Sequence, residues 1–102
     1  EYIWPAETKY ANRENVYLGS MVSAIEMIRN GIGTFADMYF FQEETIRVCE
    51  EIGLRLIVGE GILDFPTPNK KTPKEGLDFT EYLFLTKLLA KVLLIYSVTL
   101  WP

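Results

Sequence analysis

Between residues 14 and 30 the apolar side chains Leu18, Met21, Val22, Ile25 and Ile28 recur at intervals of three and four. That period puts one stripe of a helix against a core. It predicts a helix over 14–30, with Asn12 or Asn15 as its N-terminal cap. Asn30 and Gly31 then supply the two residue types that tolerate the left-handed conformation in which helices end. Residues 34–39, TFADMY, are short, β-prone and mostly apolar, and they predict a strand covered on both faces. A second helix is expected over 42–52, with Phe41, Thr45, Val48, Cys49 and Ile52 along one side. Glu43 precedes Arg47 by four residues, the favourable order for an ion pair along a helix. Gly53 ends that helix, and residues 54–58 predict a second buried strand.

The punctuation then changes. Prolines at 66, 68 and 73 and glycines at 61 and 76 mark residues 60–76 as a long loop, a kind of segment that often carries function. A third helix over 77–91 and a third strand over 93–99 are expected to follow. The first thirteen residues have no clear period. Pro5 limits helix formation before it, and Tyr2 and Trp4 suggest packing. Strands that alternate with helices imply a parallel α/β sheet. The carboxyl ends of such strands point one way, and ligand sites gather there. Asp37 and Glu60 are both expected at those ends.

Composition narrows the choice of class. The chain has 102 residues, of which 49% are hydrophobic and 24% charged, enough for one domain with one core. A net charge of −4 and an isoelectric point near 4.8 argue against a nucleic-acid partner, which calls for a basic stripe. Residues 83–100 are apolar enough to raise the question of a membrane span. Lys87 and Lys91 interrupt them, which favours a buried helix followed by a strand and no membrane partner. A lone cysteine, Cys49, and a start without a signal-peptide pattern point to the cytoplasm. The chain does not begin with methionine, which suggests a piece of something longer. It contains no histidine at all.

Three stretches, EYIWPAE, GSMVSAIEMIRNGIGTFADMYFF and GLRLIVGEGILDFPTP, closely resemble the amidohydrolase superfamily. The nearest branch comprises deaminases of methylthioadenosine and S-adenosylhomocysteine, together with triazine chlorohydrolases. The resemblance runs from Glu1 to about Tyr82. It implies a (β/α)8 barrel, of which this chain would supply about three parallel strands with their helices. An eight-stranded barrel takes about 250 residues, more than this chain has. The resemblance also implies a zinc or iron ion that activates water for attack on a ring carbon, displacing ammonia or another leaving group. Its ligands would be a His-x-His pair lying before Glu1, later histidines, one of them in a Pro-His-Ala-Pro-like segment after the third strand, and an aspartate. None of those histidines is in this chain, so no cofactor is expected to be bound by it. The tail from Phe84 to Pro102 is more apolar than the family pattern, as a frameshift or truncation would leave it.

Two residues are expected to touch a nucleoside-like substrate. Glu7 matches the family's P-x-E glutamate, which reaches the ribose hydroxyls, a task that suits a two-oxygen acceptor. Glu60 stands about where relatives carry an arginine for a carboxylate tail, and a glutamate repels such a tail. Asp37 is expected to be structural, capping the next helix or satisfying strand-end N–H groups. Asp37, Glu60 and Asp64 lack the spacing of a dedicated cation site, and Cys49 reads as core. Tyr39, Phe40 and Phe41 should pack between strand and helix. Lys70, Lys71 and Lys74 have no glycine-rich cradle and read as solvated. These readings give two functions: a catalytically silent piece of a deaminase-type hydrolase, or a non-catalytic α/β module that forms homo-oligomers. For the second, the apolar tail would be the contact surface.

Overall fold

A computed structural model of the chain describes residues 2–87. Its elements run α1 (Ile3–Tyr10), α2 (Arg13–Arg29), β1 (Thr34–Tyr39), α3 (Gln42–Ile52), β2 (Arg55–Glu60) and α4 (Pro73–Lys87). β1 and β2 pair in parallel, with Thr34 opposite Arg55 and Tyr39 opposite Glu60. The α/β class and the parallel pairing agree with the alternating pattern. The third expected strand, 93–99, lies outside the described residues.

α1 departs from the sequence reading, which left this segment aperiodic. Pro5 sits in the first turn, where a helix has no internal partner for its N–H groups, so proline removes nothing that was bonded. α2 begins as expected: the Asn12 side chain accepts from the Asn15 backbone N–H at 2.9 Å. It ends at Asn30, and only Gly31 takes the left-handed conformation, at φ 77°. α3 matches its expected span and ends at Gly53, at φ 80°. α4 starts four residues earlier than the proline-rich pattern implied. Pro73 is its first residue, Thr72 Oγ1 accepts from Glu75 N, and the Glu75 carboxylate reaches back to Lys71 N at 2.9 Å. This reciprocal capping turned part of the expected loop into helix.

The core lies on one face of the sheet. Leu56 and Val58 of β2, Ile46, Val48 and Cys49 of α3, Ala24 of α2 and Leu83 of α4 form one buried cluster. Phe35, Met21, Met27 and Phe79 pack at its margin. The buried side of α2 is therefore not the stripe its period suggested. Leu18, Val22, Ile25 and Ile28 face outward, 46–62% exposed, while Val16 and Ala24 are buried. Small residues on the inner side, Ala24 and Ser20, let α2 approach α3 closely, and Ser20 Oγ lies 3.2 Å from Thr45 Oγ1.

β1 is not covered on both faces. Phe35, Asp37 and Tyr39 are half-buried on the helix side, whereas Thr34, Ala36 and Met38 are exposed on the other. Parallel sheets normally have both faces covered. Here the second face presents Ala36, Met38 and the half-buried Ile57. The expected Glu43–Arg47 pair is also replaced. Arg13 takes Glu43 at 2.6 Å and Glu44 at 3.0 Å, and Arg47 pairs with Glu44 and Glu51. Arg13 thus joins the start of α2 to the start of α3, where two acids already complement the helix dipole.

Candidate functional site

The carboxyl ends of β1 and β2 hold a connected set of polar groups. Strand β1 runs into Phe40 and Phe41, which carry no oxygen able to cap α3. Phe41 is nevertheless the N-cap residue, in a left-handed conformation at φ 57° that a bulky side chain rarely adopts. The missing cap comes from the neighbouring strand. Glu60 Oε2 accepts the backbone N–H of Gln42, the first residue of α3, at 3.3 Å. Glu60 Oε1 accepts from the Asn69 side-chain amide, which ties the 61–72 segment to the end of β2. Glu60 is only 2% exposed. Burial pushes its carboxyl above the usual glutamate value, while the Asn69 hydrogen bond and the Lys70 charge oppose that shift.

Asp37 is not at the strand end. It pairs in register with Val58, two residues short of Tyr39, and turns toward the helices. There it accepts from Gln42 Nε2 at 2.9 Å. Its role is structural as expected, but it holds the Gln42 side chain, and the cap falls to Glu60. Asp64 is exposed in the following segment.

Glu7 reaches the same end of the sheet from α1. Tyr39, the last residue of β1, donates its hydroxyl to Glu7 Oε1 at 3.1 Å. Burial, then the Glu7 contact, raises the Tyr39 phenol above its ordinary value, so it stays a donor at neutral pH. Glu7 separates two clefts. One, about 610 Å³, runs between α1, α2, β1 and α3 and includes Asp37, Tyr39 and Cys49 in its lining. The other, about 460 Å³, lies between α1 and the 61–72 segment. Trp4 and Phe65 meet edge to face across it, with ring centroids 5.3 Å apart at 84°. This aromatic pair was missed in the sequence reading. Tyr2 and Trp4 signalled packing, but no spacing rule links Trp4 to Phe65.

The aromatics after β1 divide their work. Phe40 is buried and stacks obliquely on Tyr39, centroids 5.0 Å apart. Of the loop lysines, Lys70 lies over the Phe79 ring at 3.7 Å, so it is held rather than simply solvated.

The residues present do not fit a zinc or iron centre. The chain has no histidine, and among the described residues no group of three or more His, Cys, Asp or Glu is placed to hold a metal. Cys49 is 1% exposed, and burial, followed by the Asp37 and Glu50 charges, raises its thiol pKa to about 11. At pH 7 such a thiol is ionised in about one molecule in ten thousand. A thiol-reactive dye is therefore expected to label Cys49 only as the chain unfolds. Fast labelling of the folded chain would contradict this core assignment.

Comparison with known proteins places this geometry. The chain is 51% identical over 82 residues to 5-methylthioadenosine/S-adenosylhomocysteine deaminase 1 of Syntrophus aciditrophicus, covering 80% of this chain and 18% of that protein. By sequence the chain is a homologue of the methylthioadenosine/S-adenosylhomocysteine deaminases. The Pyrococcus horikoshii member of that group is 43% identical over 93 residues, covering 89% of this chain and 21% of the relative. The chain thus spans about a fifth of the length of these curated relatives. A crystal structure of an adenosine deaminase from Xanthomonas campestris with bound zinc superposes with a TM-score of 0.86 at 28% identity. It covers 96% of this chain and 22% of that one. No family model matches the chain. Among the described residues of this deaminase homologue, no helix is long and apolar enough to cross a membrane.

Proposed function

We propose that the chain is one wall of the nucleoside pocket in an amidohydrolase-type deaminase barrel, and that it has no catalytic activity alone. The observation that carries this reading is the placement of Glu7. An acid that matches the family's ribose-binding glutamate stands at the carboxyl end of β1, oriented by Tyr39 through Oε1. Among the described residues its Oε2 has no donor, so it can accept from a sugar hydroxyl. Trp4 and Phe65 beside it offer apolar surface to the rest of the ligand. Glu60 is buried behind the clefts and fixes the 61–72 segment that carries Phe65. Metal-bound water supplies the nucleophile in such enzymes. This chain's residues bind and orient; they hold no metal. The open second face of the sheet supports a place inside a larger barrel, where further strands cover it.

The test replaces the matching segment of the Syntrophus aciditrophicus deaminase by residues 1–82 of this chain. The folded, metal-loaded chimera is expected to deaminate 5′-methylthioadenosine. Glu7→Gln in it should lower kcat/KM about ten- to a hundredfold, as loss of a charged hydrogen bond worth about 1.5–3 kcal/mol does. The 102-residue chain supplied with zinc should show no turnover. A folded but inactive chimera, or turnover by the chain alone, would refute the assignment.

A further inference from the structure

α2 carries apolar residues on two opposite sides. Its inner side, which packs on α3, carries the buried Val16 and Ala24. Its outer side presents Leu18, Val22, Ile25 and Ile28, continued by Ile32 just past the helix, all 43–62% exposed. At 100° per residue, Leu18, Val22, Ile25 and Ile28 fall within a sector of about 120°, and Glu14 and Arg29 fall in the same sector. A continuous apolar stripe of this kind on a folded surface marks a contact site.

The charges at its ends say what fits. Glu14 and Arg29 lie equally far, about 11 Å, on either side of the stripe's midpoint at Met21–Val22, and Leu18 and Ile25 about 5 Å on either side. Both charged residues are exposed. A helix with that arrangement is complementary to itself when turned end for end. We propose that the outer face of α2 is a two-fold self-association surface that pairs antiparallel with α2 of a second copy of this chain. Leu18 then meets Ile25 of the partner subunit, Val22 lies near the two-fold axis, and Glu14 faces Arg29 of the partner subunit. An isologous contact of this kind buries the same stripe on both copies. The inference does not rest on the deaminase reading, because it uses only α2.

The test is sedimentation equilibrium of the full chain across a concentration series. A monomer–dimer equilibrium is expected. Glu14→Arg or Arg29→Glu alone sets like charges against each other and should weaken dimerisation at least tenfold, more so at low salt. The double substitution E14R/R29E should restore it to within about threefold. Val22→Cys provides a second readout, since a residue near the axis meets its own copy. Mild oxidation should link this variant into a dimer, while Asp64→Cys should stay unlinked. A chain that remains monomeric, charge reversals without effect, or cross-linking at Asp64→Cys instead of Val22→Cys would each overturn the proposal. A monomer would mean that a different segment, rather than a copy, covers this face.

Discussion

Leu56→Ala is expected to cost about 2–5 kcal/mol of stability, enough to unfold most of a domain this small at room temperature. Leu56 is fully buried in the cluster that joins α2, α3, α4 and β2. Removing its side chain loses transfer free energy and leaves a void that strands and helices on three sides cannot close. On the other face of the sheet, Ala36 and Met38 are exposed. The same substitution at Leu18, which is 53% exposed on α2, should change stability by less than about 0.5 kcal/mol in dilute solution. Urea unfolding of both variants, followed by circular dichroism, makes the comparison. Equal losses at the two positions would mean that the inner and outer faces of α2 have been assigned wrongly.

Glu60 carries the second large effect. Glu60→Ala strips the acceptor from Gln42 N and from the Asn69 amide at once, in a site from which water is excluded. The expected loss is about 1–3 kcal/mol, with faster hydrogen exchange across residues 61–72 and at the start of α3. Glu60→Gln removes the charge and keeps one acceptor oxygen, so one of the two hydrogen bonds remains. The folded-state pKa of Glu60 is raised above its ordinary 4.5. The folded chain therefore holds this proton more tightly than the unfolded one. Stability from this group is full below pH 4.5 and declines as pH rises through the raised folded value, after which the cost is constant. The difference in unfolding free energy between wild type and E60Q should show that decline, and at neutral pH E60Q should lose less than Glu60→Ala, because one acceptor oxygen remains. A pH-independent difference would remove burial as the cause.

The two acids singled out for substrate binding occupy unequal positions. Glu7 is half-buried with one oxygen engaged by Tyr39, a geometry compatible with direct contact to a ligand. Glu60 has both oxygens engaged by the protein. It holds the 61–72 segment to the end of β2 and is not turned toward either cleft. Trp4 and Phe65 sit beside Glu7 although sixty-one residues of sequence separate them. Only the return of the 61–72 segment over α1 makes them a pair.

Local chemistry was legible wherever one short stretch decided the outcome. Asn12 as a cap, Gly31 and Gly53 as stops, the span 34–39 as a strand and 42–52 as a helix all follow from propensities acting within a few residues. The motifs around Trp4, Glu7 and Asp37 also carried the resemblance to deaminases. Tertiary structure decided what depends on partners distant in sequence. The period of α2 revealed an apolar stripe, but α2 is apolar on two sides. Close packing against α3 selected the side with small residues and left Leu18, Val22 and Ile25 outside. Phe41 offers α3 no side-chain cap, so the sequence could not name Glu60 as its substitute. The parallel register that sets Glu60 beside Tyr39 had to form first. Backbone preference is local, whereas which face is buried, and which carboxylate meets which N–H, depends on how elements far apart in the chain are brought together.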